Sequence, residues 1–147
     1  MSDLYRRILV PTDFSEQSER AWTTARRLAR ALGAEVLLAH VVVEAPLFGE
    51  SPWSMGRVTE VYESGRAWGE KTLEEWAAAA RAEGVTVRTV LRSGVPHREI
   101  VALAAEEQAD LIVIGTHGRG GVDRALLGSV ADRVIRLASC PVLSVRA

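Results

Sequence analysis

The strongest chemical signal in the chain is a glycine-rich stretch, GTHGRGGVDRALLGS at residues 115–129. It follows the apolar run DLIVIG and leads into a segment of helical period, so it reads as a strand-to-helix loop. Glycines in such a loop allow positive φ and let a ligand approach the backbone closely. Loop N–H groups and the first N–H groups of the next helix can cradle a phosphate, whose charge the helix dipole favours. The Ser129 hydroxyl can cap that helix or meet a phosphate oxygen, and Arg119 and Arg124 can supply positive charge. A second polar constellation, Pro11-Thr12-Asp13-Phe14-Ser15, follows the first apolar run, ILV. Ligands of open α/β sheets bind outside the carboxyl ends of the strands, where strand order reverses. If the strands preceding these two segments are neighbours there, Asp13 faces the crevice of the glycine loop and can hydrogen-bond a ribose hydroxyl or a base amine. Asp13 can equally serve the N-terminus of the first helix.

Neither common phosphate fingerprint fits. A Walker A loop needs Lys after its last glycine, and here Gly128 is followed by Ser129 and Val130. The dinucleotide fingerprint follows a first strand, whereas Gly118-Arg-Gly120 follows the fourth. On glycines alone, a loop that merely needs turns is the alternative. Ser129, His117 and Asp123 supply the residue types of a hydrolytic triad, but they crowd into one segment where they more naturally line an anion-binding loop. His40 reads as a hydrogen-bonded core residue, His97 as a surface helix residue, and none of the three histidines has metal-ligand spacing. No catalytic residue and no metal ligand is assigned.

Elements that would position these residues alternate along the chain. Short β-branched runs at 7–10, 35–43, 85–91, 110–115 and 142–145 are separated by segments of helical period, the signature of βαβ units and a parallel sheet. The second and fourth runs are almost continuously apolar, as expected when helices cover both faces; the third alternates and is expected at an edge. The first helix is predicted from a Ser15 cap to Gly33. The second is predicted over 58–83, with Val61, Tyr62, Gly65, Trp68, Thr72, Leu73, Trp76 and Ala80 inward. The third starts at Pro96 and buries Ile100, Leu103 and Ala104. The fourth carries Leu127, Val130, Ala131, Val134, Leu137 and Ala138 on one stripe. The long connection 44–57 holds Leu47, Phe48, Trp53 and Met55 and reads as a hydrophobic flap, a lid or a dimer contact.

With 147 residues, 48% hydrophobic, 25% charged and a net charge of −1, the chain has the profile of one globular domain, 1–147. Of its 18 basic residues only Lys71 is lysine, so lysine chemistry has a single candidate, far from the glycine loop. Near-zero net charge argues against a nucleic-acid partner, and no apolar run approaches the ~20 residues needed to span a membrane. The lone Cys140 excludes an internal disulfide, and the expected location is cytoplasmic.

The spacing Gly115-x2-Gly118-x9-Gly128-Ser129 matches G-x2-G-x9-G-[ST], and with it the chain resembles the ATP-binding members of the universal stress protein family. ILVPTDFSEQSERA, SGVPHREIV, ADLIVIGTHGRGGVDRALLGSVADRVIR and CPVLSV extend the resemblance over essentially the whole chain. It implies a Rossmann-like α/β fold, an open five-stranded parallel sheet in order 3-2-1-4-5 with helices on both faces. It also implies that Pro11, Thr12 and Asp13 lie by the adenosine, Val41 by the adenine and Ile114 by the base or ribose. Gly115, Gly118, Gly128, Ser129 and Val130 would then surround ribose and phosphates, with Arg119 adding charge. Dimerisation through the last strand, Val142–Val145, is implied as well. The resulting expectation is a regulatory protein that binds ATP with Mg2+ and switches an unknown protein partner in the stress response. A weak ATPase or nucleotide-processing enzyme, and a dimeric scaffold for another adenosine ligand such as AMP or a cyclic nucleotide, are the alternatives.

Overall fold

The computed structural model describes residues 4–43, 55–116 and 128–146, with backbone alone for 55–62. Nine elements alternate: β1 (Arg7–Pro11), α1 (Glu16–Leu32), β2 (Glu35–Val42), α2 (Met55–Ala82), β3 (Val87–Ser93), α3 (Pro96–Glu106), β4 (Leu111–Gly115), α4 (Ser129–Leu137) and β5 (Val142–Val145). The strands form one five-stranded sheet in order β3-β2-β1-β4-β5, all pairs parallel. The expected fold class is therefore the observed one, and β3 lies at an edge as its alternation indicated.

Strand alternation divides the core between two faces. Ile8, Val10, Val36, Leu38 and Val113 turn toward Trp22 and Ala25 of α1 and Leu73 and Ala77 of α2. Leu9, Leu37, Ala39, Ile112 and Ile114 turn toward Ile100 and Leu103 of α3 and Ala131 and Val134 of α4. Both faces being covered accounts for the unbroken apolar runs of β2 and β4. Strand order reverses between β1 and β4, neighbours in the sheet, and the crevice opens there at the carboxyl ends of the strands.

Local signals explain the helix ends. The Ser15 side chain accepts from Ser18 N, Glu16 and Glu19 occupy the first turn of α1, and Gly33 closes it at φ 68. Pro96 opens α3, whose buried residues are the three predicted. Four expectations shift. β3 begins two residues late because Val85 N–H is committed to Ala80 O at the end of α2, and the register starts at Val87 opposite Val36. α2 begins at Met55, so positions 55–57 of the predicted connection are helical; 44–54 lie outside the described residues. Trp68 and Leu137, both predicted inward, are 48% and 57% exposed. Among the described side chains of α2, which leave out Val61 and Tyr62, the buried positions are Gly69, Leu73, Ala77 and Ala80, which turns the neighbouring Trp68 off the packed stripe. In α4 the buried positions are Ala131 and Val134, and Leu137 is the last helical residue, beyond that contact. Among the described residues no helix is long and apolar enough to cross a membrane.

Candidate functional site

A cavity of about 620 Å³ opens at the carboxyl ends of the strands. Each strand from β1 to β4 delivers residues to it directly or through the element that follows. Pro11, Thr12 and Asp13 come from the end of β1, Val41 from β2, Pro96 from the start of α3, and Ile114 and Gly115 from β4. Gly128, Ser129 and Val130 come from the start of α4. Nine of the predicted site positions thus share one cavity. Gly118 and Arg119, with His117, Asp123 and Arg124, lie outside the described residues.

The β1–α1 turn is a dense hydrogen-bond network. Asp13 Oδ1 accepts from Ser15 N at 3.0 Å and from Ser18 Oγ at 3.1 Å. Thr12 Oγ1 accepts from Phe14 N at 2.9 Å and donates to Ser18 Oγ at 3.0 Å. Asp13 is therefore not the helix cap, a role Ser15 takes; it closes a side-chain turn onto the cap residue. Its half-buried carboxylate stands where the first turn of α1 favours negative charge. On the next strand, His40 Nδ1 lies 2.8 Å from Thr12 O. A carbonyl can only accept, so Nδ1 carries the proton and a neutral ring has its acceptor at Nε2. His40 is hydrogen-bonded as expected, yet it also lines the cavity.

Across the cavity, α4 starts without a side-chain cap: Gly128 is its N-cap residue, at φ −63 and ψ 152. This corrects the capping role considered for Ser129, which is instead the first helical residue and exposed. Gly128 N donates to Thr116 O at 2.6 Å and Gly128 O accepts from Asp132 N at 2.9 Å. The first helical N–H groups, those of Ser129, Val130 and Ala131, precede the intrahelical ladder and belong to residues that line the cavity. Nearby on α3, His97 has its pKa pushed below the usual imidazole value, by desolvation first and then by the charges of Arg133 and Arg98.

Two glycines differ from expectation. Gly115 has no positive φ; a Cβ there would lie 2.8 Å from Gln17 O and 2.9 Å from Gln17 C, so the backbone of α1 by itself already requires glycine. Gly128 has a φ open to any residue, so backbone strain does not require glycine there. Sequence reasoning also passed over Ser18, Pro96, Ile100 and Thr116, which line the cavity. Pro96 and Ile100 follow the carboxyl end of β3, and that position was the available signal. Among the described residues, no group of three or more His, Cys, Asp and Glu is placed to hold a metal ion.

The model of the universal stress protein family matches residues 4–146. The chain is 40% identical to Universal stress protein MJ0531 of Methanocaldococcus jannaschii over 147 residues, covering 98% of this chain and 84% of the relative. A universal stress protein solved in complex with cAMP superposes with a TM-score of 0.73 at 29% identity, covering 98% of each chain. A universal stress protein from Archaeoglobus fulgidus solved in complex with dAMP gives a TM-score of 0.63 at 29% identity, covering 97% of this chain and 99% of that one.

Proposed function

Because this chain belongs to the universal stress protein family, we propose that it is an adenine-nucleotide-binding regulatory protein whose ligand is ATP. The observation that carries this reading is the uncapped start of α4, Gly128-Ser129-Val130, opening on the same cavity as Asp13. One end offers backbone N–H groups and a helix dipole to phosphate; the other offers a carboxylate to the ribose or base. Spacing adds to it, since Gly115, Gly118, Gly128 and Ser129 keep the G-x2-G-x9-G-[ST] pattern. Pro11, Thr12, Val41 and Ile114 would shape the adenosine end, and Arg119 would assist at the phosphates.

Magnesium fits this donor set as an ion carried by the phosphates, with Ser129 Oγ and water completing its oxygen shell. Bound there, it would neutralise phosphate charge. In the cytoplasm, nucleotide occupancy would then alter the surface that selects a protein partner. The chain acts as one domain, 1–147, and pairs with a second copy through the open edge of Val142–Val145.

Relatives solved with cAMP and dAMP favour a second reading, in which a nucleoside monophosphate is the ligand. Calorimetric titration of the purified chain with ATP, ADP and AMP, each with and without magnesium, separates the two. Tighter binding of ATP, lost in folded Gly118→Val and Gly128→Val, supports the first reading. Equal or tighter AMP binding supports the second. No binding of any of the three by folded protein removes the nucleotide assignment.

A further inference from the structure

Trp68 is a large aromatic side chain on the cavity wall. It projects from α2 with 48% of its surface exposed, an unfavourable place for an indole in a helix that packs on a sheet. Phe14 helps to fix its position. The Phe14 ring meets it at 84° with centroids 5.1 Å apart, and Phe14 in turn contacts His40 at 4.7 Å and Trp76 at 5.3 Å. Phe14 also holds a left-handed backbone, φ 64, a conformation that a bulky residue keeps only where its surroundings over-determine it. Thr12 Oγ1, which accepts from Phe14 N, and the three rings supply those surroundings.

Beside the indole there is room. Helical side chains lean toward the N-terminus of their helix, so Trp68 lies over the turn that carries Gly65. Gly65 lines the cavity too, and a Cβ built there would meet nothing within 4 Å. Val41 and Val43 line the same cavity, and Val43 is 54% exposed. This is an apolar, π-faced recess in the cavity whose polar groups were read above as phosphate and ribose partners.

The geometry points to Trp68 as the stacking surface for the nucleobase, making it a specificity-determining residue for adenine nucleotides; the inference rests on the nucleotide reading above. A flat heteroaromatic ring would cover the exposed indole, and offset stacking would add to the burial. The ligands in the two related complexes, cAMP and dAMP, differ in sugar and phosphate but share adenine, the group such a surface would recognise.

The test uses the full chain and four proteins: wild type, Trp68→Phe, Trp68→Leu and Trp68→Ala, each shown to be folded by circular dichroism and thermal melting. Affinities for AMP, ATP and base-free tripolyphosphate are measured by calorimetry. Trp68→Ala and Trp68→Leu are expected to lose roughly tenfold to a hundredfold in affinity for AMP and ATP. Trp68→Phe should retain most of it, because it keeps a π-face, and tripolyphosphate binding should be unchanged throughout. Wild-type tryptophan fluorescence should be quenched by AMP, and that quench should shrink in Trp68→Phe although the affinity is kept. A Trp68→Leu protein that binds AMP like wild type, or variants that lose tripolyphosphate as strongly as AMP, would overturn the stacking role while leaving nucleotide binding intact. A wild-type protein that binds neither AMP nor ATP would overturn both.

Discussion

Single residues in the site answer to more than one demand. Gly115 belongs to the glycine pattern that suggests phosphate, but its Cα lies so close to α1 that a Cβ would sit 2.8 Å from Gln17 O. Gly115→Ala is therefore expected to destabilise the fold by about 1–3 kcal/mol through overpacking, read as a lower urea midpoint in protein without nucleotide. An unchanged midpoint would mean that the start of α1 can move. His97 gives a second prediction. Desolvation, followed by the charges of Arg133 and Arg98, lowers its pKa in the folded chain, so the unfolded chain binds more protons between the two values. The stability tied to neutral His97 is present above its ordinary value of 6.5 and is lost as pH falls through the lowered folded value. Urea midpoints measured from about pH 7.5 to 5 should fall more steeply for wild type than for His97→Gln. Parallel curves would show that the imidazole does not carry the effect.

At the scale of the element, α2 shows how one helix serves core and cavity together. Gly65 and Gly69 are one turn apart, yet a Cβ at Gly65 would meet nothing within 4 Å, while one at Gly69 would lie 3.0 Å from His40 Cδ2. Alanine has the higher helix propensity, so Gly65→Ala is expected to stabilise the chain by about 0.5–1 kcal/mol. Gly69→Ala gains the same propensity but presses on an imidazole held at 2.8 Å by Thr12 O, and the net change is expected to be a loss. Chemical denaturation of the two variants side by side checks the opposite signs. The sequence marked the existence of α2 and placed Gly65 inward, but the glycine that touches a neighbour is Gly69. Helical period places residues on a face and says nothing of what stands opposite.

At the scale of the whole molecule, β5 closes one side of the sheet and, among the described residues, pairs only with β4. Pro141 O and Val145 O accept from Ile112 N and Thr116 N of the β4 side, so by strand alternation Leu143 also faces β4 and Ser144 turns its N–H outward. Leu143 is 39% exposed. If two copies pair through this edge, Ser144→Pro removes an outward donor without touching the β4 ladder. Sedimentation should then give a monomer, with circular dichroism unchanged. A Ser144→Pro protein that sediments like wild type would move the interface elsewhere.

Much of the architecture is legible in the residues themselves. Alternation of β-branched runs with helical period gives an α/β sheet, Ser15 and Gly33 bound the first helix, and Pro96 opens the third. Their physical causes are local, namely side-chain alternation, capping and a permitted φ, so nearby residues suffice to read them. The strand order came from family resemblance instead, because pairing joins residues far apart in the chain, as Arg7 joins Glu35 and Ile8 joins Leu111. The same holds for the site. Spacing alone singled out Gly128 and Ser129, but only tertiary structure decided that Gln17 forbids a side chain at Gly115, that His40 anchors on Thr12, and that Trp68 faces the cavity. Each of those depends on which backbone or ring from a distant segment fills the space beside it, and that is determined only when the whole sheet and its helices have packed.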